Sequence, residues 1–400
     1  MLKFQSPCTR VAFAIVLAAI LAVAGVSIAG PRAETSAAPV DAGSVELLAE
    51  ESPPSGATRQ FRTDFSRHTV PYSEILSGGP PKDGIPAVDN PQYVSVADAD
   101  AWLEPLEPVA VIEADGRVRA YPIQILTWHE IVNDQLGDLP VTVTFCPLCN
   151  TAIAFDRRFD DHVLDFGTTG RLYYSNLIMY DRQTETWWQQ ATGEGIAGEY
   201  AGSRLRFVPL AMVSWEDFKA SFPDADVVSR DTGHGRQYGI NPYGGYDGEG
   251  SRPFLYRGPA TPSDLPAMAR VLTIELDDEA VAYPYTLLQE RGVVNDQVGG
   301  TPVAVLWAEG TASALDHSVI SSGRDVGAAV PFSRQVGDRV LEFELRDGSI
   351  VDTATGSVWN HLGRAVEGEL ADTQLVPVVG VNHFWFSWAA FRPQTRVFSG

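Results

Sequence analysis

The sequence predicts a β-rich α+β fold made of two related strand–helix–strand lobes that pack as one pseudo-symmetric unit. Short runs of alternating apolar and polar residues, separated by Gly, Pro, Asn and Asp, recur through most of the chain and favour strands. Helical spacing is confined to a few short stretches. The chain also resembles itself at a constant shift, which indicates an internal duplication.

The N-terminus has the pattern of an export signal or a membrane anchor. Lys3 and Arg10 precede an uncharged apolar run over residues 11–30. Such a pattern is typical of export signals, and a run of about 20 residues is also long enough to span a bilayer. Both interpretations predict an extracytoplasmic protein, periplasmic or secreted. Residues 31–60, rich in Ala, Glu, Ser and Pro, are predicted to form a disordered linker.

The first lobe is predicted over residues 61–230. An Asp-Gly turn at 115–116 joins two strands, and Pro122 begins a predicted helix over 122–132. Proline suits the start of a helix because its φ is already helical and its missing N–H has no partner there. The strands expected nearest the cysteines are 109–113, 118–121, 141–145 and 151–155.

The duplication rests on a shift of 162 residues. Residues 120–143 and 282–305 are identical at 12 of 24 aligned positions, including the Ala-Tyr-Pro and Val-Asn-Asp-Gln motifs. A second, degenerate lobe is therefore predicted over 269–400, after a Gly/Pro/Tyr-rich connector over 231–268. The same shift aligns three chemically distinctive residues with different ones: Cys146 with Ala308, Cys149 with Thr311, and His129 with Arg291. These differences predict either one functional lobe beside a structural one, or one site between the two.

The charge of the chain excludes some partners. With a formal net charge of −22, it is expected to bind neither nucleic acid nor an anionic membrane surface. A membrane contact is predicted only through the N-terminal segment. The identity of a small-molecule or protein partner stays open.

The Cys-Pro-Leu-Cys motif at Cys146 and Cys149 is the predicted chemical centre. A thiol pair three residues apart can cycle between dithiol and disulfide. Between two strands, as predicted here, it is also typical of a metal-binding knuckle, and Asn150 tolerates the left-handed conformation that a knuckle needs. His129 is then the expected third ligand or proton donor, and zinc or copper suits such ligands. The alternative is a structural disulfide or two buried thiols.

Other candidates are less specific. Asp181, Arg182 and Trp188 belong to a polar and aromatic cluster that we predict to line a cofactor-binding cleft. A packed core with a surface ion pair explains the same residues equally well. His129 alone is also compatible with an ordinary helix histidine.

A set of motifs occupies residues 64–68, 77–86, 120–122, 128–130, 145–150, 179–190 and 238–247. Together they resemble the motifs of a bacterial and archaeal family, domain of unknown function 3179, and the resemblance implies an exported or membrane-anchored protein. It covers the chain from about residue 61 to its end and is most specific at the FCPLCNTA block. The family implies no established activity.

The sequence therefore supports two hypotheses from different classes. The first is an extracytoplasmic protein with a single metal-binding or redox-active site, in which Cys146, Cys149 and His129 are the catalytic or ligating residues. The second is a non-catalytic binding or scaffold module with a structural Cys146–Cys149 disulfide. Whether the protein is an enzyme stays open.

Overall fold

The structure is a computed structural model that describes residues 47–49 and 51–400. The predicted export signal or anchor and most of the predicted linker lie outside these residues. The last part of that linker contacts the folded body, since Ala57 is buried and the Glu51 carboxylate accepts the Tyr72 N–H at 2.8 Å. Within the described ranges, no helix is both long enough and apolar enough to cross a bilayer.

Among the described residues, 40% lie in strands and 12% in helices, which confirms the predicted β-rich α+β class. We call residues 57–228 the first part of the body. It contains four short α-helices, α1 Ala57–Gln60, α2 Val96–Ala99, α3 Ile123–His129 and α4 Trp215–Ser221. Its strands are β1 Ile75–Ser77, β2 Val88–Asp89, β3 Tyr93–Ser95, β4 Pro108–Ala114, β5 Arg117–Pro122, β6 Ile131–Leu136, β7 Leu139–Cys146, β8 Thr151–Asp156, β9 Arg158–Phe159, β10 His162–Val163, β11 Phe166–Tyr173, β12 Asn176–Asp181, β13 Trp187–Gln189, β14 Gly195–Ala197, β15 Phe207–Val208, β16 Ala211–Ser214 and β17 Asp226–Val228.

We call residues 270–397 the second part. It contains helices α5 Tyr285–Arg291 and α6 Trp385–Ala389. Its strands are β18 Arg270–Leu276, β19 Glu279–Pro284, β20 Val293–Val298, β21 Thr301–Ala308, β22 Ala328–Ser333, β23 Gln335–Val336, β24 Arg339–Val340, β25 Phe343–Arg346, β26 Ser349–Asp352, β27 Val358–Trp359, β28 Ala365–Glu367, β29 Gly380–Phe384 and β30 Arg396–Val397.

The strands form small sheets. In the first part the five-stranded sheets have the orders β16-β4-β5-β17-β3, β15-β8-β7-β6-β2 and β1-β11-β12-β13-β14. In the second part the larger sheets have the orders β29-β18-β19-β30, β20-β21-β22 and β25-β26-β27-β28. Strand β7 lies at the centre of its sheet, and its last residue is the first cysteine of the motif.

Two runs of five elements follow the same order and have the same lengths. Elements β4, β5, α3, β6 and β7 contain 7, 6, 7, 6 and 8 residues. Elements β18, β19, α5, β20 and β21 repeat these lengths. In both runs the first two strands pair antiparallel, and so do the last two.

The predicted helix over 122–132 is too long. Helix α3 ends at His129, because Glu130 adopts a left-handed conformation with φ 58° and ψ −25°. The Val-Asn-Asp-Gln motif, predicted to end this helix, instead lies inside strand β6, which pairs with β7. Tertiary pairing overrides the helical spacing of the sequence at this point.

The two parts share a core. Trp215 and Phe218 of α4 lie in one buried cluster with Phe332, Trp359 and Leu375 from the second part. Burial of large apolar and aromatic side chains is the main favourable contribution to folding. Residues from both parts therefore contribute to the stability of one body.

Candidate functional site

The cysteine motif forms a tight turn between two paired strands, as the sequence predicts. Cys146 ends β7, residues Pro147–Cys149 form a single 3₁₀ turn, and β8 begins at Thr151. Asn150 closes the turn in the left-handed region, with φ 52° and ψ 41°. Asparagine tolerates this conformation better than most residues, which explains its position after the second cysteine.

Both thiols of this turn are free and buried, with exposures of 2% for Cys146 and 0% for Cys149. Their sulfur atoms face the same acceptor, the Ser175 carbonyl oxygen, at 3.9 and 3.4 Å. Burial raises the pKa of Cys146 well above its usual value, and the neighbouring Cys149 and Glu130 raise it further. Burial therefore favours the neutral form of the Cys146 thiol, and both sulfurs lie beside one common acceptor.

Glu130 is a site residue that the sequence interpretation missed. Its backbone carbonyl accepts the N–H of Phe145, the residue before the first cysteine, at 2.8 Å. Its side chain is 8% exposed, and burial raises its pKa to about 8. Within the described chain, the carboxyl group makes no hydrogen bond. A titratable group thus lies close enough to Cys146 for its charge to affect the thiol.

A comparison of aligned positions could have drawn attention to Glu130. The shift of 162 aligns it with Gly292, which ends α5 with φ 69° and ψ −33°. The surrounding hydrogen bonds also match, because the Gly292 carbonyl accepts the Trp307 N–H at 2.9 Å. Glycine is the residue expected at such a helix end, whereas a glutamate there is strained.

Part of the connector covers the thiol turn. We call residues 238–256 the connector strap. The Tyr246 hydroxyl donates to the Leu148 carbonyl at 2.9 Å and accepts the Phe254 N–H at 3.2 Å. Tyr243 is near enough to Glu130 and Cys146 that both contribute to raising its pKa, after burial itself. The strap therefore contacts the turn directly and limits access to the thiols.

His129 lies beside Glu130 in the chain, and both of its ring nitrogens have other partners. Nδ1 is 2.7 Å from the Pro86 carbonyl oxygen, and Nε2 is 2.7 Å from the Tyr238 hydroxyl. Because a carbonyl only accepts, Nδ1 carries the proton and Nε2 accepts from the tyrosine. Burial lowers the pKa of His129 to about 4.

The predicted ligand set is not assembled as a metal centre. Among residues 47–49 and 51–400, no three His, Cys, Asp or Glu side chains are placed to hold one ion. Cys146 and Cys149 face one point, while the imidazole of His129 is engaged with Pro86 and Tyr238.

A second histidine near the turn comes from the other half of the chain. His383 of β29 is fully buried, and its Nδ1 lies 2.8 Å from the Thr151 hydroxyl. That hydroxyl also contacts the Cys149 carbonyl at 3.1 Å. Burial lowers the pKa of His383 to about 3. Its distance of 232 positions from Thr151 hides this contact from the sequence.

The predicted cleft residues occupy two environments. Asp181 and Trp188 are fully buried and joined by a 2.9 Å hydrogen bond from the indole Nε1 to the carboxylate. Arg182 pairs with Asp89 at 2.6 Å. The buried pair recurs in the second part, where the Trp359 indole donates to Asp352 at 3.0 Å.

We expect Asp181→Ala and Asp352→Ala to destabilise the protein equally, by about 2–4 kcal/mol, because each leaves a buried indole N–H without its acceptor. Urea unfolding of the two variants measures this. If Asp181 instead serves mainly to bind a cofactor, Asp181→Ala will be much less destabilising than its counterpart.

The burial of neutral His129 makes a second prediction. Its folded pKa lies below the unfolded value of about 6.5, so its contribution is complete above that pH and is lost as pH falls through about 4. The unfolding free energy of the wild type should fall by about 2–3 kcal/mol relative to His129→Gln across this interval. If urea unfolding gives free energies of unfolding that change with pH in the same way for the wild type and His129→Gln, His129 is not buried as a neutral ring.

Comparison with known proteins gives one match. Neither the curated proteins nor the solved structures include a match to the chain. A family model described as "Protein of unknown function (DUF3179)" matches residues 82–395, a range that contains the cysteine turn, Glu130, the connector strap and His383. Because this model covers most of its length, the chain belongs to the DUF3179 family.

Proposed function

We propose that the protein is an extracytoplasmic thiol–disulfide redox protein whose Cys146 and Cys149 cycle between a dithiol and a disulfide. The observation that carries this proposal is the pair of free thiols in one tight turn, both facing the Ser175 carbonyl. Two sulfurs held this way are near each other before reaction, which lowers the entropic cost of joining them.

The reaction is an exchange with a disulfide of another molecule. The thiolate of one cysteine attacks a sulfur of the partner disulfide, and the first partner sulfur leaves as a thiolate. The second cysteine then attacks the mixed disulfide and releases the other partner sulfur. The pair loses two electrons and two protons, and the partner disulfide gains both and becomes a dithiol.

Copper binding is a second candidate for the same two sulfurs. Soft thiolates favour copper(I), whereas a structural zinc site takes four ligands. The two sulfurs face one point, and among the described residues no three His, Cys, Asp or Glu side chains are placed to hold one ion. This ligand set fits copper(I) better than zinc, and it includes Cys146 and Cys149 without His129.

We propose an extracytoplasmic location because residues 11–30 form an uncharged apolar run after a basic start. The same run is proposed as the only membrane contact, by anchoring or as a cleaved signal. Nucleic acid is excluded from the proposed partners by the charge of −22. The expected partner is a disulfide-bearing protein or small molecule.

We also infer that the body arose by internal duplication. Supporting this are the identities at a shift of 162, the equal lengths of β4–β7 and β18–β21 with their helices, and the repeated Asp–Trp pairs. On this view the first copy acquired the thiol pair or the second copy lost it. The second copy supplies scaffold and the buried contact of His383 with Thr151.

The redox proposal predicts the reduction potential of the Cys146–Cys149 pair. In the full chain carrying Cys8→Ser, thiol counting by mass spectrometry across glutathione redox buffers should give a value between about −270 and −120 mV. Cys146→Ser and Cys149→Ser are the controls, because neither can form the intramolecular disulfide. A value below about −300 mV would instead identify a structural disulfide and favour the scaffold hypothesis.

Element analysis of the same preparation tests the second candidate. Copper at one ion per chain, absent from the Cys146→Ser/Cys149→Ser double variant, would replace the redox proposal by a metal-binding one. Zinc bound in the same way would contradict the ligand argument as well, because the two sulfurs alone do not complete a zinc site.

A further inference from the structure

We infer that Glu130 is the proton-transfer group of the thiol pair: it takes the proton of Cys146 when the pair reacts and returns one when the pair is reduced. This inference rests on the proposed redox function. The inference extends that function by naming the residue that transfers protons between the buried thiols and the solvent.

The first support is conformational. Glu130 adopts a left-handed conformation at the end of α3, which is unfavourable for a residue with a side chain. The aligned position in the second part has a similar conformation and is Gly292, for which a positive φ is not strained because glycine has no Cβ. Strained backbone of this kind is concentrated at functional sites, where another constraint fixes the residue type.

The second support is the pattern of differences between the two parts. At the shift of 162, Glu130 aligns with Gly292, Cys146 with Ala308, and Cys149 with Thr311. The backbone around them is retained, since each left-handed residue accepts a strand N–H at 2.8 or 2.9 Å. The glutamate and both thiols are therefore present together in one part and absent together from the other.

The third support is burial. Exposure rises from 0% at Cys149 and 2% at Cys146 to 8% at Glu130. The two thiols are almost completely buried, whereas Glu130 is slightly more exposed and lies next to the motif, because its backbone carbonyl accepts the N–H of Phe145 at 2.8 Å. Its carboxyl group makes no hydrogen bond in the part of the chain that the structure describes, so its oxygens are available to accept a proton.

Two groups from different elements lie close enough to Glu130 for its charge to affect them. Cys146 ends β7, and Tyr243 belongs to the connector strap. Burial raises the pKa of Glu130 to about 8, and burial is also the first cause of the raised pKa values of Cys146 and Tyr243. His129, the preceding residue, points its ring at Pro86 and Tyr238.

In the forward reaction the proton moves from the Cys146 thiol to the Glu130 carboxylate, and the resulting thiolate attacks the partner disulfide. The carboxyl group then passes this proton to water. When Cys149 resolves the mixed disulfide, its proton is also lost, and the released partner thiolates take up two protons. No step requires an oxidant other than the partner disulfide.

The test compares oxidation by oxidised glutathione in the full chain carrying Cys8→Ser. The rate in the parent protein should rise with pH through about 8, as the carboxyl group becomes the base. Glu130→Gln keeps the size of the side chain and removes its charge. We expect its rate at pH 8 to fall at least about tenfold and its profile to lose the inflection near 8.

Two further variants separate proton transfer from folding. Glu130→Gly gives the residue found at the aligned position; it should relieve the strain, keep or raise the unfolding temperature, and still react slowly. Gly292→Glu is the matched control. It introduces the same strain in the second part, beside Leu345, and should lower the unfolding temperature without changing the rate.

Each result supports or overturns the inference. A pH profile of Glu130→Gln that matches the parent would overturn the role of Glu130 while leaving the redox function intact. A parent protein that forms no Cys146–Cys149 disulfide with oxidised glutathione at any pH would overturn both. A slow Glu130→Gly variant with an unchanged fold, together with the altered profile, supports the inference.

Discussion

The site depends on one backbone reversal, the left-handed residue Glu130 between helix α3 and strand β6. By turning the chain there, it allows β6 to pair with β7, and its carbonyl accepts the N–H of Phe145 at 2.8 Å. That bond fixes the end of β7, where the first cysteine lies. Because the charge of the same residue's carboxyl group affects the Cys146 thiol, the residue at this bend also contributes to the electrostatics of the site. The turn between α3 and β6 and the titratable group of the site therefore both depend on residue 130.

Around this bend the thiols are held in apolar surroundings with few polar contacts. The cysteines belong to a buried cluster that also includes Phe166, Met179 and Trp188. In such surroundings a neutral thiol is favoured over a thiolate, so reactivity needs a base inside the site or opening of the cover. The connector strap supplies the cover through the Tyr246–Leu148 hydrogen bond. On our proposal, the connector strap limits access to the pair, and Glu130 assists its ionisation.

The second part of the chain also contributes contacts near the cysteine turn. His383 reaches the residue that begins β8, and its burial as a neutral ring adds a pH-dependent contribution to stability. The shared core around Trp215 and Trp359 makes the first part dependent on the second for its packing. The repeated Asp–Trp pair shows the same structural solution in both parts: a buried carboxylate accepts an indole N–H at 2.9 or 3.0 Å.

From the sequence alone, the β-rich class, the turn between two strands and the position of Cys146 and Cys149 could be predicted, because strand alternation and turn residues are local signals. Local signals failed at 130–132, which were predicted to continue the helix, and at 133–135, which were predicted to end it. The chain instead bends at Glu130, and residues 131–136 form β6. Local signals also assigned His129 to the thiols, although its nitrogens bond to Pro86 and Tyr238. Glu130 and His383 were missed for one physical reason. Their roles depend on burial and on contacts across the chain, and only the tertiary structure decides which polar groups share the thiols' surroundings.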